Sequence, residues 1–402
     1  MVWVFWLSAA ALVYVYAGYP CLLRVWARLR PRAVASPGHL SSAAPEHGVS
    51  IVIAARNEAA RLPARIDNLL ALAYPSGKRQ IIVVSDGSTD DTIGVLDRYR
   101  GAVDVVAQPP GGKALALNAG VAAARHEILV FADARQVFAP DAIAELVAPF
   151  ADPAVGAVTG ELLLDAESPC RRSGRDRRTW ERRAGLRANV SDRRGEDRRR
   201  TLRSTIADGI GLYWKYEKEL RRLESAIGST LGATGAIYAM RRALFRPLPD
   251  GTILDDVLTP MRVVLDGYRV VFNERARAFD RAAVDADAEA RRKIRTLAGN
   301  YQILAIEPAL LMPWRNPVWL QYVSHKLGRL AMPYALLATF FSSVILAEAH
   351  VVYALALAGQ VVFYLLAGVG ALLEFAARRG EDVQEAPLAV RTVDRQVARE
   401  LA

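Results

Sequence analysis

The chain has very little cysteine, with two residues in 402. Cys21 lies in an uncharged apolar run near the N-terminus, and Cys170 lies in an arginine-rich stretch. A disulfide framework needs several pairable cysteines, and a structural zinc site needs clustered cysteine or histidine ligands. The sequence therefore excludes both. At this length, one α/β domain of ordinary size plus appended segments can bury a sufficient core without them.

The chain also lacks a general excess of positive charge, although its formal net charge is +10. Residues 168–204 contain 14 arginines and 5 acidic residues, a net charge of +9, which leaves about +1 for the remainder. A nucleic-acid-binding protein would spread basic residues over its domain. The positive charge belongs to one segment instead, so nucleic acid is not an expected partner of the main domain.

That segment, residues 169–203, repeats Asp-Arg-Arg and Glu-Arg-Arg and has few apolar residues. It cannot bury a core, so we predict a disordered or mobile insertion. Its arginines could bind anionic lipid, nucleic acid or an acidic regulator such as a cyclic dinucleotide, or could stay solvated without a function. Only Trp180 adds an aromatic ring, which argues against sequence-specific RNA recognition.

Three apolar runs contain no Asp, Glu, Lys or Arg: residues 2–23, 330–347 and 351–373. The first has 22 residues, about 33 Å of helix against a hydrocarbon core of about 30 Å. It lacks the basic n-region and the small-residue cleavage site of a signal peptide, so we expect an uncleaved anchor. The other two are interpreted as membrane spans, with a buried helical hairpin as the alternative.

Basic residues flank one side of each run, at Arg24 to Arg32, at Lys326 and Arg329, and at Arg378 and Arg379. The positive-inside rule then puts the N-terminus outside and the main domain in the cytosol, at the plasma (inner) membrane and in contact with its lipids. The predicted segments are a transmembrane helix at 1–24, a linker at 25–48, a cytosolic domain at 49–311, an interfacial helix at 312–328, two transmembrane helices within 329–375 and a cytosolic tail at 376–402.

From Val49 onward, apolar β-branched runs alternate with stretches of helical periodicity. The pattern predicts strands at 49–54, 80–85, 103–106, 127–132 and 154–160, and helices at 58–72, 90–99, 112–124, 140–149 and 209–225. Such alternation is typical of a mostly parallel sheet flanked by helices. Because α/β sheets bind ligands beyond the carboxyl ends of their strands, the polar turns there are the first candidates for a site.

Five motifs follow this plan: VSIVIAARNEAARL from Val49, IIVVSDGSTDDT from Ile81, GGKALALNAG from Gly111, ILVFADAR from Ile128 and ILDDVLTPMRVVLDGYRVVF from Ile253. Each is weak alone. In this order and spacing they resemble the family 2 glycosyltransferases, which use nucleotide-sugar donors, over roughly residues 49–302. Within that family the chain is similar to the bacterial cellulose, hyaluronan and poly-N-acetylglucosamine synthases. The resemblance implies a GT-A-like domain.

The resemblance also implies residues that bind the donor. Ala55, Arg56 and Glu58 match the first nucleotide-binding turn, and Asp86 matches an aspartate that meets the nucleobase and ribose, although it could be a simple turn former. Lys113 matches a lysine near the nucleotide. A lysine at a helix N-terminus is unfavourable with the helix dipole, so a nearby anion would explain it. A solvated lysine is the alternative.

Asp133 matches the first acid of the family's Asp-x-Asp metal motif, but Arg135 replaces the second acid. A divalent ion prefers oxygen ligands and is repelled by a guanidinium. Either Asp133 binds Mg²⁺ or Mn²⁺ together with acids from elsewhere or the donor diphosphate, or Arg135 supplies the positive charge itself. We predict that the metal is required.

Asp255 and Asp256 match the acidic pair that supplies the family's catalytic base, and we assign the base to Asp256. A helix N-cap pair is the alternative. Thr234 and Gly235, in a Gly-Ala-Thr-Gly loop, resemble residues that face the acceptor, although an ordinary loop before a strand fits as well. Removal of the acceptor proton by a carboxylate is the general-base step that glycosyl transfer needs.

The family's processive polymerases carry Gln-x-x-Arg-Trp, but Arg292 and Thr296 replace the glutamine and tryptophan here. Arg292 and Arg295 could still hold the diphosphate. The resemblance therefore implies an inverting transferase that uses a UDP-sugar and extends a cell-surface or extracellular polysaccharide. Single addition to a lipid or lipid-linked acceptor is the alternative. Three spans offer little material for a conduit, so export would need a homodimer or a partner.

Overall fold

The computed structural model describes residues 1–34, 47–165, 215–281 and 286–385. The described residues fall into two compact units, one within 17–330 and the other made of 1–16 and 331–385. The predicted insertion at 169–203 lies outside the described residues, as do residues 35–46 of the predicted linker and 386–402 of the predicted tail.

Within the described part of the larger unit, eight strands form one sheet. They are β1 (Val49–Ala55), β2 (Arg79–Asp86), β3 (Asp104–Gln108), β4 (Ile128–Ala132), β5 (Val137–Phe138), β6 (Val155–Asp165), β7 (Ile237–Arg241) and β8 (Arg269–Arg281). Their order is β3-β2-β1-β4-β7-β6-β8-β5. Strands β1 to β4 pair in parallel, whereas β7 is antiparallel to both β4 and β6. The predicted α/β sheet is confirmed, and its second half is mixed.

The helices of this unit are Tyr19–Leu29, Leu62–Leu70, Thr92–Asp97, Lys113–Ala122, Ala142–Val147, residues 215–227, Asp255–Leu265 and Ala286–Ile306. Short 3₁₀ turns lie at Ser76–Lys78, Ala148–Ala151, Arg242–Leu244 and Pro308–Leu311. The helix predicted at 58–72 begins only at Leu62. Before it, the backbone N–H groups of Glu58 and Ala59 donate to Thr92 Oγ1 and Asp90 Oδ2 of the neighbouring turn.

Successive side chains along a strand point to opposite faces of the sheet, and apolar residues cover both faces here. Ile51 and Ile53 of β1 belong to one buried cluster, with Leu62, Ile66 and Leu69 of the following helix. Val52, on the opposite face, belongs to a second cluster with Leu117. At Gly120 a Cβ would lie 2.4 Å from Val52 Cγ1, so glycine lets this helix approach β1 closely. Two packed faces fix the strand ends that carry the polar turns.

The helix predicted at 312–328 begins at Trp319. Prolines at 313 and 317 interrupt the segment before it, and Asn316 closes a turn by donating to Leu310 O at 2.8 Å and accepting from Val318 N at 3.1 Å. The helix then continues through the π-helical turn Tyr322–Leu327 into Gly328–Leu346. Its Gln321, Ser324 and His325 are buried, so part of this segment packs on protein.

The smaller unit contains the helix Val2–Val13, most of Gly328–Leu346, and Val351–Glu385; a π-helical turn at Tyr14–Gly18 follows the first of these. Within it, Thr339 Oγ1 donates to Ser8 Oγ at 2.8 Å, and the rings of Phe5 and Tyr353 meet edge to face. Among the described residues, three helical stretches are long and apolar enough to cross a membrane: Val2–Leu29, Trp319–Leu346 and Val351–Leu372. The predicted apolar helices are therefore present.

Candidate active site

The turns that follow β1 and β2 lie side by side because the two strands run parallel, with Ala55 opposite Ser85. Asn57, in the left-handed conformation at φ 56°, donates from its backbone N–H to Ser88 Oγ at 3.1 Å. Its side-chain Oδ1 accepts from Thr89 N at 2.8 Å. These bonds join the two turns into one ledge at the carboxyl edge of the sheet.

The residues predicted to form the first nucleotide-binding turn lie at this edge. Ala55 is buried at the end of β1, Arg56 is exposed, and Glu58 is half-buried and pairs with Arg61 at 2.8 Å. The structure places them together with Asp86, and their contact with a nucleotide stays a prediction.

Asp86 is 4% exposed and accepts three hydrogen bonds. They come from Gly111 N at 2.7 Å, Gly112 N at 2.9 Å and Gln108 Nε2 at 3.0 Å. Although burial opposes ionisation, these donors hold the pKa of Asp86 below its usual value. Gly112 takes φ 84°, which a side chain would strain. Asp86 thus fixes the glycine loop that begins the Lys113 helix.

Lys113 lies between two carboxylates. Its Nζ is 3.4 Å from Asp133 Oδ1 and 3.2 Å from Asp255 Oδ1. Burial disfavours the ammonium, but the charges of Asp255 and Asp133 outweigh it and raise the Lys113 pKa. The anions that explain a lysine at this helix start are therefore protein carboxylates, which the sequence alone did not indicate.

The metal motif contributes one carboxylate. Arg135, at the position of the second acid, pairs through Nε with Asp280 Oδ2 at 3.0 Å, and Gln136 Nε2 donates to the same oxygen. No group of three or more His, Cys, Asp or Glu side chains suited to a metal occurs within the described part of the chain. Asp133, with a side chain 37% exposed, could supply one oxygen ligand to a divalent ion, and its contact with a metal stays a prediction.

Asp255 and Asp256 form the first turn of the helix Asp255–Leu265, where carboxylates are favoured by the helix dipole. The N-cap position belongs to Leu254, so the alternative of an N-cap pair is wrong. Asp256 Oδ2 accepts from Gly235 N at 3.2 Å, and Asp256 O accepts from Ala233 N at 2.7 Å.

Burial and the neighbouring Asp255 charge raise the Asp256 pKa, while Lys113 and Lys326 oppose that rise. A carboxylate with a raised pKa is a stronger proton acceptor once ionised, which suits a general base. The structure thus brings Asp256 together with Asp255, Lys113 and Asp133 at one end of the sheet.

Thr234, predicted to face an acceptor, is 8% exposed. Its Oγ1 accepts from Arg221 Nη1 at 2.6 Å, and its backbone N–H donates to Thr159 Oγ1 at 2.9 Å. Gly235 contacts Asp256, the predicted base. The loop therefore supports Asp256, and its contact with an acceptor stays a prediction.

Arg292 and Arg295 lie at exposed positions of the helix Ala286–Ile306. Their predicted contact with a diphosphate stays a prediction.

Sequence reasoning missed a buried polar cluster in the larger unit. Glu224, 1% exposed, accepts from Tyr19 OH at 2.8 Å and lies 2.7 Å from His325 Nδ1. Glu217 pairs with Arg329 through Oε1, and His325 Nε2 lies 3.7 Å from Glu217 Oε2. Although burial opposes ionisation, His325 and Arg329 hold the Glu217 pKa well below its usual range. Tyr19 and His325 are 205 and 101 positions from Glu224 along the chain, so no local pattern brings the three together.

The chain is similar in fold to a solved structure, the mannosyltransferase PcManGT from Pyrobaculum calidifontis in complex with GDP-Man and Mn²⁺. The superposition has a TM-score of 0.64 at 21% identity and covers 90% of this chain and 92% of that one. The fold is therefore of the GT-A type.

Residues 50–224 match the model of Glycosyl transferase family 2. This stretch of the chain is thus a family 2 glycosyltransferase domain. Among curated relatives, the poly-beta-1,6-N-acetyl-D-glucosamine synthases of Staphylococcus aureus and Staphylococcus epidermidis are each 33% identical over 117 residues. The match spans 28% of this chain and 28% of the length of those relatives.

Proposed function

We propose that this chain is a membrane-anchored inverting glycosyltransferase that moves a sugar from a nucleotide-sugar donor, a UDP-sugar, to a growing cell-surface or extracellular polysaccharide. The observation that supports this best is the position of Asp256. Its carboxylate is held by the Gly235 N–H and lies in one cluster with Asp255, Lys113 and Asp133 beyond the strand ends.

In the proposed step, an acceptor hydroxyl oxygen forms a bond to the anomeric carbon while the bond from that carbon to the nucleoside diphosphate breaks. Asp256 takes the hydroxyl proton, which avoids a cationic oxygen in the product. One displacement inverts the configuration at the anomeric carbon. The Gly235 N–H orients this carboxylate.

The leaving diphosphate carries the negative charge that develops in the reaction, so cations near it favour bond cleavage. Lys113 is the nearest cation to the acidic cluster, and Arg292 and Arg295 are proposed to reach the diphosphate from their helix. Asp133 would hold a Mg²⁺ or Mn²⁺ ion that, when bound, supplies further positive charge to the diphosphate.

The polysaccharide acceptor is supported by the names of the staphylococcal relatives, which cover part of the chain. The second candidate, single addition to a lipid or lipid-linked sugar, is favoured by Thr296, which stands where processive relatives carry a tryptophan that stacks on the acceptor. The apolar helices would anchor the domain of residues 49–311 on the cytosolic side, where nucleotide sugars are made, with three spans and the N-terminus outside. Export would then need a homodimer or a partner.

The test is to incubate membranes containing the full chain with a panel of radiolabelled nucleotide sugars and to size the product. A ladder indicates polymerisation, and one lipid-extractable species indicates single addition. Asp256→Asn should lower turnover by about 10²–10⁴-fold with donor affinity unchanged. Asp250→Asn, at an exposed turn, is the matched control. Loss of donor affinity in Asp256→Asn would place this residue in the nucleotide site and overturn the assignment of the base.

A further inference from the structure

Lys113 lies where two carboxylates face each other in the candidate site. Its ammonium is 3.4 Å from Asp133 and 3.2 Å from Asp255, and the Asp255 side chain is only 5% exposed. The same ammonium therefore contacts the single acid of the metal motif and the neighbour of the base.

This arrangement opposes metal binding by the protein alone. A divalent ion sits about 2.0–2.6 Å from its oxygen ligands, so an ion on Asp133 would lie within a few ångströms of the Lys113 ammonium. Inside a protein site, where charges are screened less than in water, two cations this close repel each other strongly. The second position of the metal motif does not attract an ion either, because Arg135 there is a cation that pairs with Asp280.

We propose that Lys113 is a resident cation that excludes a divalent ion from Asp133 until a nucleoside diphosphate binds. The proposal rests on the proposed function, because it takes the diphosphate of a nucleotide sugar as the anion. That group brings enough negative charge to hold Lys113 and the ion together. Metal and nucleotide then bind with positive coupling, and each raises the affinity of the other by the same factor.

Lys113 gains a defined role from this. It is a positioning residue, and its effect on the ion is opposite to that of the missing second acid. In an Asp-x-Asp motif, two acids attract the ion directly, whereas here one acid and one lysine make the ion depend on the donor. The site would hold no ion unless the donor had arrived.

The experiment measures Mn²⁺ affinity of the purified full-length protein in detergent, from the electron paramagnetic resonance signal of free Mn²⁺, without and with UDP. Without UDP, Lys113→Met should bind Mn²⁺ at least about tenfold more tightly than wild type, given the size of the charge interaction removed. Addition of Asp133→Asn to Lys113→Met should abolish the gain. With UDP, wild type should bind Mn²⁺ at least about tenfold more tightly than without it.

Lys78→Met is the matched control. Lys78 lies directly before β2, whose other end is Asp86, so this variant should bind Mn²⁺ with the affinity of wild type. Lys113→Gln, checked like Lys113→Met for a native thermal unfolding transition, guards against misfolding. Equal Mn²⁺ affinity of wild type and both Lys113 variants without UDP would overturn the proposal, and so would tight UDP-independent binding by wild type. Neither measurement involves sugar transfer, so a failure of the proposed function would be seen separately, in the product assay.

Discussion

The backbone N–H of Gly235 donates a hydrogen bond to Oδ2 of Asp256 across 3.2 Å. The carboxylate of Asp256, the proposed base, is thus oriented by a loop that comes just before β7. A Cβ built at Gly235 would lie 3.0 Å from that same oxygen. The position has room for glycine and for the carboxylate, and for little else.

Gly235→Ala should therefore lower kcat while leaving donor affinity close to that of wild type. The added methyl requires the Asp256 carboxylate to shift by a few tenths of an ångström, and a general base must lie within hydrogen-bond reach of the proton that it removes. Gly77→Ala is the control, because a Cβ there meets nothing within 4 Å. Steady-state kinetics with isothermal titration of the donor would decide, and unchanged kcat in Gly235→Ala would contradict the role given to this loop.

The pH dependence of the reaction should report the raised pKa of Asp256. The base works only when ionised, so activity falls as pH drops through its pKa. Because burial and Asp255 raise that pKa, the acid limb of kcat/KM should lie above the ordinary aspartate value of about 3.9. Lys326 stabilises the ionised form, so Lys326→Met should move the limb to higher pH. A limb that moves downward in this variant would refute the assignment.

The buried Glu224 should be important for stability. Its carboxylate accepts from Tyr19 and contacts His325 at 1% exposure, and removing one partner from such a buried set typically costs about 3–5 kcal/mol. Glu224→Ala should lower the free energy of unfolding by that amount in detergent. Glu219→Ala is a matched control, because its contact with Arg24 is an exposed pair at 4.0 Å, worth about 1 kcal/mol or less. Similar losses in both variants would show that the cluster adds no special stability.

The proposed topology can be tested by cysteine labelling in intact cells with an impermeant reagent, in a background that lacks Cys21 and Cys170. Ala349→Cys should label, because the turn between the last two apolar helices is expected outside. Ser42→Cys and Ala402→Cys should label only after lysis. If Ser42→Cys reacts in intact cells, the domain is external, where nucleotide sugars are not made, and the proposed reaction fails.

The strands β1, β2 and β4 could be read from the sequence to within a residue or so, because each is a continuous apolar run closed by polar turn residues. The position of β7 could not. It inserts antiparallel between β4 and β6 although it comes some 100 residues after β4. That pairing depends on contacts between segments distant in the chain, which local periodicity does not record.

The sequence predicted which residues belong to the candidate site better than it predicted the contacts between them. Resemblance pointed to Asp86, Lys113, Asp133 and Asp256, which the structure places at one edge of the sheet. The contact of Lys113 with both Asp133 and Asp255 is a matter of tertiary packing, as is the use of Asp86 to hold Gly111 and Gly112. The residue types in a motif specify which chemical groups are available, and only the fold specifies which other groups they contact.

The two joined turns after β1 and β2 have a consequence for how this sequence can change over evolutionary time. Asn57 bonds to Ser88 and Thr89, and Asp90 bonds back to Ala59 N. The conformation of each turn therefore depends on hydrogen bonds to the other. A single-residue insertion or deletion in either would misalign the bonds between them, so the lengths of these two turns should be inherited as one unit.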